Sequence, residues 1–329
     1  MVFLRAGVAI MKTIRIDHKN IPKLQESVCA IGYFDGIHIG HQELIEQAKA
    51  DAQKLHVQSA VATFDPDPWK IIHPDANLEH LSDLDDKATL LSHNQIDVFY
   101  ILDFTADFAG LSIESFHQVI EDLNIRELVC GYDYHYAAKG AGSVETLQQA
   151  RGFETKVIGQ VSKANDKISS TRIEKLIRQG DVKEANELLG YIYSIKGIVV
   201  HGYQRGRILG FPTANLSVGP ESILPKNGVY AGYVQIREDL YPAMINVGYN
   251  PTFNNQEKTI EANILNFFED IYDVPTRFYF VEQLRNEKKF DSLDELKAQL
   301  TNDQKSVLPC LNKQKALYSR TTKLWSLRS

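Results

Sequence analysis

Two histidines three residues apart, His38 and His41, stand in the stretch Ile31–Gln42, which reads I-G-Y-F-D-G-I-H-I-G-H-Q. At a helix start that spacing aims both imidazoles at one point, where they can donate to a phosphoryl group gaining negative charge. Gly32, Gly36 and Gly40 punctuate the stretch. An apolar run, Val28-Cys29-Ala30-Ile31, leads in like a buried strand, and Leu44, Ile45, Ala48 and Leu55 continue with helical spacing. Strand, glycine-bearing turn and helix together bring backbone N–H groups and a positive helix end to a phosphate. A surface turn with two unrelated histidines is the plainer alternative, and it leaves the glycines, Phe34 and Asp35 unexplained.

A second constellation lies far along the chain. Gly197–Leu216 reads G-I-V-V-H-G-Y-Q-R-G-R-I-L-G-F-P-T-A-N-L. Gly202, Gly206 and Gly210 would let backbone approach a phosphate closely, and Thr213 and Asn215 offer hard oxygen ligands to Mg²⁺. Glycines that merely shape turns would account for the spacing but not for P-T-A-N beside it. Between the two sets, Ile168-Ser169-Ser170-Thr171-Arg172 opens a helical pattern (Ile173, Leu176, Ile177). Its hydroxyls read either as helix caps or as triphosphate ligands with Arg172 as a charge-assisted partner.

The elements that must position these residues fall into two kinds. Before Tyr191, strands at Val28–Ile31, Val57–Phe64, Asp97–Leu102, Glu127–Gly131 and Lys156–Gly159 alternate with helical patterns at Ser82–His93, Ser112–Leu123 and Ser143–Ala150. That alternation predicts an α/β domain with a parallel sheet covered on both faces, whose ligands bind beyond the carboxyl ends of the strands. Asp65-Pro66-Asp67-Pro68 reads as a turn that cannot stay helical. After Tyr191 come short β-rich segments, Ser194–Val200, Val229–Ile236, Ala243–Val247, Thr259–Phe267 and Thr276–Val281, without intervening helices, which predict a small antiparallel barrel. A helical Leu293–Leu300 and a helical tail follow. The expected domains are 11–188 and 189–329, with the boundary after the helical Val182–Leu189.

At 329 residues two domains are the natural expectation. A net charge of −6 gives no basic field for nucleic acid or anionic membrane. Cys29, Cys130 and Cys310 are scattered without metal-ligand spacing, which suits buried free thiols in a reducing cytoplasm. No apolar run reaches membrane-spanning length. Met1–Ile10 is too short for a signal peptide, and M-K-T-I-R-I makes Met11 the expected start of the folded chain.

G-x-F-D-G-x-H-x-G-H resembles the signature of the nucleotidylyltransferase module of bacterial bifunctional riboflavin kinase/FAD synthetases. Gly197–Leu216 is similar to that family's kinase signature, G-x-V-x-x-G-x-x-x-G-R-x-L-G-F-P-T-A-N. Asn246–Phe253 matches its N-x-G-x-x-P-T-F, Glu261–Phe267 its E-x-H-I-L-D/N-F, and Phe280–Phe290 its F-x-x-x-L-R-x-E-x-x-F. The resemblance runs from Met11 to about Asp303. It implies a Rossmann-like FMN adenylyltransferase domain followed by a riboflavin kinase barrel, with ATP and Mg²⁺ serving riboflavin-to-FMN and FMN-to-FAD steps. It further implies His38 and His41 as the adenylyl-transfer residues, with Gly32, Phe34, Asp35, Gly40, Ser169, Ser170, Thr171 and Arg172 at ATP, and Asp133 and Phe64 at FMN. In the kinase it implies Glu261 as general base, Thr213 and Asn215 at the metal, and Gly202, Gly206, Arg207, Gly210, Phe211, Pro212, Asn246 and Arg285 at nucleotide or flavin. A kinase with a weakened adenylyltransferase module and a non-catalytic flavin-binding regulator are the alternatives; retained Glu261 and Thr213 oppose the second.

The departures from the family's pattern gather in the first module. Asp67 replaces a histidine, Ala137 a glycine and Glu174 an arginine, while the kinase differs at Asn263, where histidine is usual. Lys175, Arg172 and Lys139 are the candidates to supply the cation that Glu174 removes. Glu174→Arg is expected to lower the apparent KM for ATP in FAD formation; an unchanged KM in steady-state assays refutes it.

Overall fold

The computed structural model describes residues 11–202, 206, 209–249 and 258–327. Met1–Ile10, Arg207 and the Asn250–Phe253 part of the third motif lie outside them. The chain packs as two compact units, one running to Leu78 with Ser82–Ser169, the other combining Glu79–Leu81 with Ser170 onward.

In the first unit, β1 (Lys12–Ile16), β2 (Ser27–Ile31), α1 (Ile39–Leu55), β3 (Gln58–Asp65), α2 (Pro68–Ile72), α3 (Leu84–His93), β4 (Val98–Asp103), α4 (Ala106–Ala109), α5 (Ile113–Asp122), β5 (Ile125–Gly131), α6 (Val144–Gln148) and β6 (Glu154–Ile158) follow one another. The six strands pair in the order β1-β4-β3-β2-β5-β6, every pair parallel. All five residues of β2 are buried, as a central strand covered on both faces requires. The chain leaves β2 for β3 on one side and returns with β5 on the other. The crevice beyond the ends of β2 and β5 is therefore the switch point where such sheets take ligands. A short hairpin, β7 (Ser162–Lys163) with β8 (Asp166–Lys167), completes the unit. The Asp65–Pro68 turn ends sooner than expected. Asp67 accepts from Trp69 N–H at 2.6 Å and caps α2, with Pro68 at the first helical position.

The second unit begins with α7 (Ser170–Gln179) and α8 (Val182–Leu189). Strands β9 (Ser194–Val200), β10 (Ala214–Val218), β11 (Gly228–Ile236), β12 (Asp239–Tyr249), β13 (Lys258–Ile264) and β14 (Pro275–Asn286) close a barrel in the order β10-β13-β12-β11-β14-β9. Strand β10, which carries Asn215, adds to the β-segments expected from the sequence. Helices α7 and α8 pack with the barrel, and the second compact unit begins at Ser170. Asn186 on α8 is the rivet: its Nδ2 donates to the Phe280 carbonyl at 2.8 Å and its Oδ1 accepts from Tyr193 N–H at 2.7 Å.

Two C-terminal helices, α9 (Leu293–Asn312) and α10 (Lys315–Leu324), lay Val307, Cys310 and Leu311 into a core with Val229, Ala231, Met244 and Tyr279. Arg285 on β14 grips Asp303 of α9 through Nε at 2.9 Å and a terminal nitrogen at 2.8 Å, and Gln299 Nε2 donates to the other Asp303 oxygen at 2.8 Å. Among the described residues no helix is long and apolar enough to cross a membrane. Asp303→Ala leaves the Arg285 guanidinium without its partner and is expected to cost about 2 kcal/mol in chemical denaturation, below the range for a fully buried pair because Arg285 is part exposed. Asp303→Asn, which keeps an acceptor, is expected to lose less.

Candidate active site

The Ile31–Gln42 stretch leaves β2 and enters α1 through a left-handed Phe34 (φ +56°) and Gly36 (φ +73°). Phe34 is buried, its ring edge-on to His41 with centroids 5.2 Å apart. Asp35 accepts from Ser82 N–H at 3.0 Å, and Gly36 N–H donates to Ser82 Oγ at 2.7 Å. Two of the eight residues expected at ATP thus have partners within the protein: Phe34 packs edge-on against His41, and Asp35 ties the turn to Ser82.

His38 is the N-cap of α1, and its Nδ1 accepts from His41 N–H at 3.2 Å. A nitrogen that accepts an amide hydrogen carries a lone pair, so the neutral ring bears its proton on Nε2. The two imidazoles stack with centroids 3.6 Å apart and planes 12° from parallel. Gly40 permits this, because a Cβ there would stand 3.1 Å from His38 Cε1. Burial pushes the His38 pKa down to about 4, with Lys167 adding to the effect. His41 is driven well below its ordinary value by burial first, then by His38, Lys87 and Lys167. The pair is neutral at physiological pH. His41 Nδ1 is buried with no hydrogen-bond partner among the described residues, a costly state that a bound polar group would relieve.

Other residues expected at the site have partners within the protein. Phe64, expected at FMN, is buried among Phe104 and Phe108, its ring 5.6 Å and 6.0 Å from theirs. Asp133, beyond β5, is ion-paired with Lys167. Lys167 is the cation beside the histidines that motif comparison missed, since it precedes I-S-S-T and matched no position sought. Of the expected cations, Arg172 meets Glu184 at 2.8 Å. Ser170, Thr171 and Arg172 open α7 in the second unit, and Ser169 closes the first. Glu174 accepts from Arg178 at 2.9 Å, one helical turn on, and Arg178 also pairs with Glu79.

In the barrel, strand register does the positioning. Asn215 on β10 lies opposite Glu261 on β13, and Glu261 lies opposite Asn246 on β12. Cross-strand partners share a face, so the three side chains form one polar row. Thr213 Oγ1 donates to Glu261 Oε2 at 3.0 Å. A Cβ at Gly202 would meet the Asn215 amide nitrogen at 2.3 Å, so only glycine allows that approach. Phe211, itself buried, closes its N–H on the Gly206 carbonyl at 2.8 Å, with Gly210 in the turn between. Asn263, buried, donates to the Pro212 carbonyl at 2.8 Å and accepts from Gln304 of α9 at 3.2 Å. A cleft of about 650 Å³ with its open mouth included is lined by Thr213, Ala262, Phe267, Phe268 and Tyr272, and it shares Thr213 with the groups above. Arg285, expected at the flavin, is committed to Asp303.

Comparison with known proteins decides the family. A profile described as FAD synthetase matches residues 20–172, and one described as riboflavin kinase matches residues 189–311. The bifunctional riboflavin kinase/FMN adenylyltransferase of Listeria monocytogenes is 40% identical over 282 residues, covering 84% of this chain and 90% of that one. That of Bacillus subtilis is 35% identical over 308 residues, covering 91% and 98%. The chain belongs to the bifunctional riboflavin kinase/FMN adenylyltransferase family. A solved structure from Streptococcus pneumoniae, named a macrolide-efflux protein, superposes with a TM-score of 0.85 at 36% identity, over 90% of this chain and 99% of that one. Its name speaks of transport, whereas its likeness to this chain extends across both family domains.

The stacked pair has a thermodynamic signature. His38 titrates near 6.5 when unfolded and near 4 in the fold, so the unfolded chain takes the proton first. The stability contributed by neutral His38 is full above about pH 6.5 and is lost as pH falls toward about 4, up to roughly 3 kcal/mol. His38→Asn retains a capping acceptor and is expected to flatten this part of the stability–pH curve in denaturant titrations.

Proposed function

We infer that this chain is a transferase with both family activities: ATP phosphorylates riboflavin to FMN, and a second ATP adenylylates FMN to FAD. The observation that carries the adenylyl step is the stacked, neutral His38–His41 pair at the sheet's switch point, with one buried ring nitrogen that has no partner among the described residues. A chain reduced to kinase activity would have no need to keep that arrangement.

In adenylyl transfer an FMN phosphate oxygen attacks the α-phosphorus of ATP, and the bond to the β-phosphate oxygen breaks to release pyrophosphate. His38 Nε2–H, His41 and the N-terminus of α1 stabilise the charge that builds on the α-phosphoryl oxygens. Gly32 and Gly40 leave room for the Phe34 and His38 rings; with Ser169, Ser170, Thr171 and Arg172 they are assigned to ATP on motif likeness, and Asp133 to FMN. In the kinase the ribityl 5′-hydroxyl attacks the γ-phosphorus and ADP leaves, with Glu261 taking the hydroxyl proton. Thr213 and Asn215 beside Glu261 are hard oxygen donors of the kind that, with substrate phosphates and water, hold Mg²⁺. That ion, when bound, neutralises charge on the transferring phosphoryl group. We assign residues 11–188 to adenylyl transfer and 189–329 to the kinase. A reducing cytoplasm suits the three free, buried cysteines.

The test is chromatographic. Purified protein given riboflavin, ATP and Mg²⁺, or FMN, ATP and Mg²⁺, is expected to yield FAD from both mixtures. FMN from the first with nothing from the second overturns the bifunctional reading. Glu261→Gln is expected to lower riboflavin phosphorylation by about 10²-fold or more while FAD formation from supplied FMN continues.

A further inference from the structure

Lys87 lies on α3 with 2% of its surface exposed, far inside for an ammonium. Its Nζ donates to the Tyr33 carbonyl at 2.8 Å and stands 3.8 Å from the centroid of the Tyr33 ring. Thr63 Oγ1 donates to the same carbonyl at 2.9 Å. Tyr33 is the residue from which the chain enters the left-handed turn at Phe34 and so arrives at His38. The carbonyl that receives both donors thus fixes the root of the turn carrying the histidine pair.

Charge placement points the same way. Asp35, Asp65, Asp67 and Asp83 all face Lys87 and hold its ammonium charged against a burial that pulls its pKa down to about 8. Asp67, the carboxylate found where the family has histidine, also adds to burial in raising the Tyr33 phenol. A cation here offsets the departure at position 67. The groups acting on His41 are His38 on its own helix, Lys87 from α3 and Lys167 from β8.

We propose that Lys87 is a positioning residue for adenylyl transfer: it clamps the Tyr33 carbonyl, so that the turn holds His38 and His41 stacked, and sets a buried positive charge against His41. The proposal rests on the adenylyltransferase reading above. A lysine that merely braced α3 would affect stability alone; this one also sets how readily the imidazoles take a proton. Loss of the charge makes protonation easier, so the acid limb of the rate profile moves to higher pH.

The experiment uses the full chain with Lys87→Met, Lys87→Gln and wild type. FAD formation from FMN and ATP is followed from about pH 3.5 to about pH 9, imidazole titration by ¹⁵N NMR over the same range, and riboflavin phosphorylation in the same chain as the control for folding. Lys87→Met is expected to lower kcat for FAD formation by about tenfold or more with KM values little changed. It is also expected to raise the imidazole titration by roughly half a unit to one unit, with riboflavin phosphorylation unaffected. Lys87→Gln, which can still donate to Tyr33, is expected to recover part of kcat while keeping the shifted titration. A wild type that makes FAD beside Lys87→Met and Lys87→Gln proteins with unchanged kcat and titration overturns the proposal alone. A wild type that makes FMN but no FAD overturns the adenylyltransferase reading on which it rests.

Discussion

The first unit depends on one hydrogen bond, from His41 N–H to His38 Nδ1. It ends the loop, starts the helix, fixes the tautomer of His38 and brings the two rings face to face. A side chain that caps a helix is ordinarily structural, and one that donates to a phosphate is ordinarily chemical; here one ring does both because its two nitrogens point opposite ways. The turn, the buried Phe34, the small Gly40 and the Ser82 tie all follow from holding that ring in place. The result is a neutral pair at a positive helix end, which favours an arriving anion without carrying full charges that water would have to release.

The barrel solves a similar problem by different means. A β-sheet has almost no net dipole, so it cannot offer a phosphate the field of a helix end. Register supplies order instead, setting Asn215, Glu261 and Asn246 side by side across three strands. Gly202 comes up against the Asn215 amide, and Asn263 with Gln304 steadies the Pro212 carbonyl next to Thr213. The C-terminal helix thereby reaches the segment before the metal-type ligands as well as Arg285.

Three of the four positions where this chain leaves its family's pattern are met by a neighbour; the fourth, Ala137, keeps a left-handed φ of +62° where the family has glycine. Glu174 has Arg178, Asp67 caps α2 and faces Lys87, and Asn263 keeps a donor for a carbonyl and an acceptor for Gln304. These exchanges alter sign or size while leaving no described partner stranded, which is how a functional site drifts without unfolding.

The chemistry-bearing stretches were legible in the sequence because their signals are local. Glycine spacing, H-x-G-H, P-T-A-N and the change from helix-strand alternation to bare strands are set within a dozen residues, and they fix the two folds and the two families of motif. What each motif residue touches is not local. Phe34 and Phe64 are apolar and buried, so folding took them for the core; Arg285 met Asp303 from a helix beyond the matched motif. Lys87 and Lys167 stand beside the histidines only because the parallel sheet brings distant loops to one end. The compact unit begins at Ser170 because Asn186 finds carbonyls nearly a hundred residues away. Sequence alone determined which reactions the chain is built for, since those need particular atoms at short spacing. Tertiary structure alone decided which atoms remain free to react, since burial and pairing are settled by residues far apart in the chain.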